Sequence, residues 1–127
     1  MSDKSVAAKL GMKAGKTILV LNAQVDIANL LGEIPAGAKW VQKGEGPFPA
    51  ILQFVLNKAE MMKLVPAAKK HLEPTGALWI AYAKGTSAKA TDINRDSIRE
   101  YANSVGLDTV AQIGLDQDWS ALRCKIV

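Results

Sequence analysis

The sequence predicts a three-layer α/β sandwich on a mostly parallel sheet of five to six strands, with an antiparallel C-terminal strand. Three observations predict it. Helix-like and strand-like stretches alternate along the chain, the pattern of parallel strands joined by helical crossovers. Thr17-Ile18-Leu19-Val20-Leu21 is β-branched and apolar without a break, as a strand buried on both faces requires. Only Asp116-Gln117-Asp118 separates the last two strand-like runs, and so short a connection implies an antiparallel pair. The 127 residues correspond to one domain, 1–127, at about 150 residues per domain. With 49% hydrophobic and 22% charged residues, the chain can bury a core without disulfides or metal. The same composition excludes a wholly disordered chain and a coiled coil.

Taken in order, residues 5–14 read as a short helix with Ser5 as cap and Gly11 or Gly15 ending it. The strand Thr17–Leu21 follows. Asp26 caps a helix over 27–31 that stops at Gly32, and Pro35 and Gly37 make a turn into a weak strand, Ala38–Gln42. Residues 43–49 carry two Gly and two Pro and read as a loop before a third strand, Ala50–Leu56. Asn57 and Glu60 have the spacing of a capping box, opening a helix to about Leu72 with Ala59, Met62, Val65 and Leu72 as its inward stripe. Pro66 has no N–H and predicts a kink or restart. After the turn at 73–76 comes the strand Ala77–Ala83 and then a polar loop, 84–90. Thr91 or Asp92 caps a helix to about Ser104, with Ile98, Tyr101, Ala102 and Val105 facing inward and Gly106 as its stop. Thr109–Leu115 and Trp119–Val127 are the closing strands.

Sixteen basic and twelve acidic residues give a net charge of +4, unevenly spread. Residues 1–90 hold twelve Lys and six acids, while 91–127 hold four basic residues and six acids. The lysines are scattered, with Lys69-Lys70 the one adjacent pair, so they read as a solvated surface and not as a nucleic-acid face. No apolar run reaches the roughly 18 residues that a membrane helix needs. The N-terminus, Met1–Ser5, has no secretory pattern, and with a lone Cys124 this points to the cytoplasm. Cys124 falls in a predicted strand and reads as a buried, inert thiol. One Cys and one His exclude a Cys/His metal cluster and a pair of catalytic histidines. No metal site and no catalytic residue is predicted.

The run Leu72-Glu73-Pro74-Thr75-Gly76-Ala77-Leu78-Trp79-Ile80, followed by the helix ending at Gly106-Leu107 and the closing hairpin, resembles the second half of a Rossmann-like methyltransferase domain. In that family a leucine-x-proline-glycine-glycine turn leads into the fifth strand; here Thr75 replaces one glycine. The whole chain more closely resembles a group of small bacterial proteins without an assigned activity. Leu10–Thr17 running into Val20–Ala23, Leu78–Lys84, Thr91–Asp96 and Trp119–Arg123 carry that resemblance. Together they imply a Rossmann-like, methyltransferase-type fold.

The residues themselves argue against that family's cofactor, S-adenosylmethionine. A nucleoside bound beside the first strand wants a glycine-rich turn, and its ribose wants an acid at the end of the second strand. The first turn is Asn22-Ala23-Gln24-Val25-Asp26, and the second strand ends Trp40-Val41-Gln42 with Glu45 beyond it. Gly11-x-x-x-Gly15-Lys16-Thr17 is one residue short of a P-loop and precedes a strand instead of following one.

The candidate ligand-binding residues lie mostly at strand ends. Asn22 and Lys84 follow the first and fourth strands, and Asn57 follows the third, where a helix cap also accounts for it. Lys84, with Ser87, Lys89 and the helix start at Thr91 and Asp92, could meet an anion. Arg95 can pair locally with Asp92. Arg123 can reach Asp116 or Asp118 across the hairpin, or form a buried pair with Asp92 or Asp96. Trp119 and Ser120 open the last strand, where a core position competes with a ligand platform for Trp119. His71 reads as a helix-dipole partner, and the aspartates at 116 and 118 as turn-shaping residues.

The resulting expectation is a non-enzymatic α/β unit that binds a small ligand or a protein partner, with no cofactor. A homodimer through an edge strand or an exposed helix is one arrangement open to it. The alternative is an atypical small-molecule transferase, methyltransferase-like and dependent on S-adenosylmethionine, with Asn22, Asn57 and Lys84 around a reshaped pocket.

Overall fold

A computed structural model describes residues 6–84 and 92–127. The elements are α1 (Val6–Lys9), β1 (Thr17–Leu21), α2 (Ile27–Leu31), β2 (Lys39–Val41), β3 (Phe48–Phe54), α3 (Lys58–Lys69), β4 (Leu72–Ala83), α4 (Arg95–Ser104), β5 (Leu107–Gly114) and β6 (Trp119–Ile126). They build one six-stranded sheet in the order β2-β1-β3-β4-β6-β5. The first four of these strands are mutually parallel, and β6 runs antiparallel to both β4 and β5. The α/β architecture and the antiparallel close are as the sequence predicts.

Alternation along each strand sends successive side chains to opposite faces. Ile18, Val20, Leu52, Phe54, Trp79 and Ala81 pack under α1 and α2 on one face. Leu19, Ile51, Leu78, Ile80 and Leu122 pack under α3 and α4 on the other. Both faces are covered, which is why β1, β3 and β4 read as unbroken apolar runs.

Several boundaries move. β3 starts at Phe48 and ends at Phe54, two residues earlier at each end than the apolar run suggests. β4 starts at Leu72 and not Ala77, because Phe48 pairs with Leu72 before Ala50 pairs with Ala77, leaving Glu73–Gly76 as a bulge in the ladder. The buried stripe of α3 is Met61, Val65 and Ala68, while Met62 and Ala59 are exposed. Pro66 neither breaks nor restarts α3. Its missing N–H frees the Met62 carbonyl four residues back, and Tyr101 Oη of α4 donates to that oxygen at 3.0 Å. The cap of α4 is Asn94, with a reciprocal pair of bonds to Ser97, and not Thr91 or Asp92. Ser5, Ser87, Lys89 and Thr91 lie outside the described residues.

Candidate functional site

The strand order reverses beside β1, since the chain passes to β2 on one side and then to β3 on the other. In open α/β sheets this is the point where the carboxyl ends of the strands leave a crevice. Here the crevice is enlarged by a missing element. The crossover from β2 to β3 has only residues 42–47 and no helix, so among the described residues α3 alone flanks that sheet face at β1. The result is a groove of about 530 Å³, within the usual range for small-molecule sites, roughly 300–1,000 Å³. Leu19, Leu21 and Leu64 supply apolar wall, and Asn22, Glu60, Lys63 and His71 supply polar rim.

Asn22 is the junction of this site. Its φ of 58° is left-handed, a conformation that asparagine tolerates better than other side chains. Its Nδ2 donates to the Phe54 carbonyl at 3.1 Å and to Glu60 Oε1 at 3.0 Å. The same Glu60 oxygen accepts the Leu56 N–H at 2.9 Å. Glu60 thus reaches Leu56, one residue ahead of the cap Asn57, whose Oδ1 accepts the Glu60 N–H at 2.8 Å. On the groove floor Gln53 is buried at 1% exposure, an amide in an otherwise apolar strand, and its Nε2 donates to the Phe54 carbonyl. His71, just past the C-terminus of α3, also holds the crossover loop. Its Nδ1 lies 2.9 Å from the Glu45 carbonyl, so that nitrogen carries the proton. The Phe48 N–H donates to the His71 carbonyl at 2.8 Å, and a Cβ on Gly46 would come within 2.7 Å of that oxygen, which accounts for glycine there.

A second cleft, of about 560 Å³, opens at the carboxyl end of β4 between α4 and β6. It brings together three of the predicted residues, Lys84, Arg95 and Ser120. Arg95 Nη1 donates to Gln112 Oε1 at 3.3 Å, and Gln112 Nε2 donates to Tyr82 Oη at 3.1 Å. Burial pushes the Tyr82 phenol up, against the opposing pull of the Arg95 guanidinium and a hydrogen bond with Ser120. The phenol therefore stays protonated at neutral pH.

The remaining candidates fall elsewhere. Asn57 is a helix cap. Asp92 does not pair with Arg95: its Oδ1 accepts the Lys58 N–H at 2.8 Å and ties the loop to the start of α3. Trp119 is core, 2% exposed, edge-on to Phe54 at 5.3 Å, and its Nε1 has no hydrogen-bond partner among the described residues. Arg123 reaches none of the predicted acids. It sits opposite Trp79 and Ala111 in the ladders, on the other sheet face from Ser120 and near the other end of the strands. Asp116 shapes its turn, accepting the Asp118 and Trp119 N–H groups at 2.8 Å each. Sequence reasoning missed Gln53, Tyr82 and Gln112. Gln53 and Tyr82 carried a readable signal, a polar group inside an apolar run. Among the described residues no group of three or more His, Cys, Asp or Glu could hold a metal ion, and no helix is long and apolar enough to cross a membrane.

No family model and no curated protein matches the chain. Solved structures do. A S-adenosylmethionine-dependent methyltransferase from Aquifex aeolicus is 12% identical, covers 96% of this chain and 88% of its own, and superposes with a TM-score of 0.65. For the glycopeptide N-methyltransferase MtfA the values are 13%, 96%, 93% and 0.64. For the 1,6-didemethyltoxoflavin-N1-methyltransferase of Burkholderia thailandensis, bound to S-adenosylhomocysteine, they are 13%, 95%, 74% and 0.60. The fold is that of an S-adenosylmethionine-dependent methyltransferase domain. Two expectations are corrected by this finding. The expectation of a non-enzymatic unit is no longer the favoured one, because structures sharing this fold over nearly the whole chain are methyltransferases. The expectation of no cofactor gives way as well, since MtfA is solved with S-adenosylmethionine and with sinefungin.

Proposed function

We propose that this chain is a methyltransferase that binds S-adenosylmethionine in the groove beside β1 and a methyl acceptor in the cleft beside Tyr82. The observation that carries the reading is the coincidence of the open groove with the reversal of strand order. The residues fit the cofactor by a different route from a glycine-rich turn. Asn22 provides the left-handed turn that glycine would otherwise supply. Glu60, on α3, provides the acid that the end of β2 lacks. Leu19, Leu21 and Leu64 offer a base an apolar wall, and Lys43 and Lys63 offer a carboxylate its counter-charge.

The cofactor supplies an electrophilic methyl group, which passes to a nucleophilic nitrogen or oxygen and leaves S-adenosylhomocysteine, with the acceptor's proton lost to water. In this chain the protonated Tyr82 phenol, Ser120 and Gln112 orient a polar acceptor, and Arg95 and Lys84 favour one that carries negative charge. The test is calorimetric titration with S-adenosylhomocysteine, paired with melting curves. Saturation near a hundred times Kd adds about 2.7 kcal/mol, a rise of several degrees. Ala67→Trp, an exposed position of α3 that lines the groove, removes the response without unfolding the chain. A wild-type protein that melts at the same temperature with S-adenosylmethionine, S-adenosylhomocysteine and sinefungin would show that the groove serves something else.

A further inference from the structure

We propose a second ligand site, at the amino ends of the parallel strands, that takes a compact phosphorylated molecule between Lys13, Lys16 and Arg123. These three cations line a pocket of about 520 Å³ at the amino ends of β1 and β3 and the bulge of β4. Its floor is apolar, with Leu10, Ile18, Ala50 and Ala77, and Glu73 is its one acidic group. Three positive charges against one negative charge, around a concave surface, select an anion. An Arg fork with two ammonium groups suits phosphate oxygens that carry more than one charge.

The pocket is held in shape by bonds that no ligand supplies. The Lys16 N–H donates to the Lys13 carbonyl at 3.1 Å, so both lysines leave one closed turn. The Gly15 N–H donates to the Ala36 carbonyl at 3.0 Å, and Trp79 Nε1 donates to the Leu10 carbonyl at 3.1 Å, fixing that turn to the sheet. On the far side, a Cβ at Gly76 would come within 2.9 to 3.1 Å of Leu72, Pro49 and Glu73, so the bulge is tightly closed. Arg123 is left available by the ladder. Its neighbours across the strands are Trp79 and Ala111, whereas Lys125 two residues on faces Asp108.

The arrangement favours a small ligand over a nucleic acid. The cations converge on one hollow with an apolar floor and do not track along an edge, as a phosphate backbone demands. The site stands apart from the methyltransferase reading and does not depend on it.

The experiment is titration calorimetry of the full chain with inorganic pyrophosphate and with ADP at about 150 mM salt, where surface charges are largely screened. Saturable binding is expected. It should weaken at least about tenfold in Arg123→Ala and in the double variant Lys13→Ala/Lys16→Ala, with ligand-free melting temperatures unchanged, because these side chains are exposed. Ala67→Trp, in the β1 groove, should leave the binding intact and so separates the two sites. Absence of binding at millimolar pyrophosphate and ADP overturns the proposal. So does binding that either variant leaves untouched, or a single-stranded oligonucleotide that binds more tightly than ADP and loses its affinity in the same variants.

Discussion

Asn22 does two jobs that are separable by substitution. Its backbone takes a left-handed turn, and its amide joins β1 to β3 and α3 through Phe54 and Glu60. Asn22→Ala should cost about 2 kcal/mol, half from forcing an alanine into φ 58° and half from the lost hydrogen bonds. Asn22→Gly relieves the first term and should lose about half as much, measured by urea unfolding. Equal losses would mean that the backbone conformation contributes nothing. Cys124 couples stability to pH. Burial, with Asp108 adding to it, pushes its thiol from 9.0 up to about 12. The unfolded chain therefore ionises first. The stabilisation is complete below pH 9 and is lost as pH rises toward 12, by about 2 kcal/mol between pH 9 and 10.5. Cys124→Ala should lack that part of the alkaline slope in unfolding free energy. The buried thiol was legible because it lies in an apolar strand. The fate of Trp119 was less so, since its indole N–H gives the residue a polar use that only packing against Phe54 decides.

The elements were legible where the signal was local. β1 spans Thr17–Leu21, as its unbroken apolar run says, and α2 opens at Asp26 and closes at Gly32 as its end residues say. Errors arose where a distant partner decides. Leu72 belongs to β4 because Phe48 pairs with it, and Pro66 stays inside α3 because Tyr101, 39 residues away, takes up the freed carbonyl. Tyr101→Phe should therefore destabilise the fold by about 1 kcal/mol, while a Pro66→Ala background, which restores the N–H to Met62, should make the same substitution nearly neutral. A double-mutant cycle in urea checks this; additive losses would mean the hydroxyl acts elsewhere. The cap of α4 carries a readable signal. Thr91, Asp92 and Asn94 are all cap-forming types, but only Asn94 has Ser97 placed three residues on to return the bond.

At the scale of the molecule the sheet centre, β3, β4 and β6, is paired on both sides, whereas β2 is a three-residue edge. Amide exchange should be slowest at Ile51–Phe54 and Leu78–Ala81 and fastest in β2 and residues 42–47. Bound S-adenosylhomocysteine should protect Leu21–Gln24 and 42–47 while leaving the Lys13–Lys16 turn as it was. Protection spread evenly over the chain would speak against a localised groove. The α/β class, the parallel strands, the hairpin at the C-terminus and the caps of α2 and α3 are written in the residues, because periodicity and end chemistry act within a few positions. The glycine-free first turn pointed away from a nucleoside cofactor, since turn chemistry is visible locally, whereas the left-handed φ of Asn22 and its bonds to Phe54 and Glu60 are not. The folded chain alone shows the groove that a helix-free crossover leaves at β1, the Glu60 carboxylate on the Asn22 amide, and Arg123 lining one pocket with Lys13 and Lys16 at the amino ends of the strands. Each of these depends on pairings between residues tens of positions apart, whose register sets the face and the edge on which a side chain emerges.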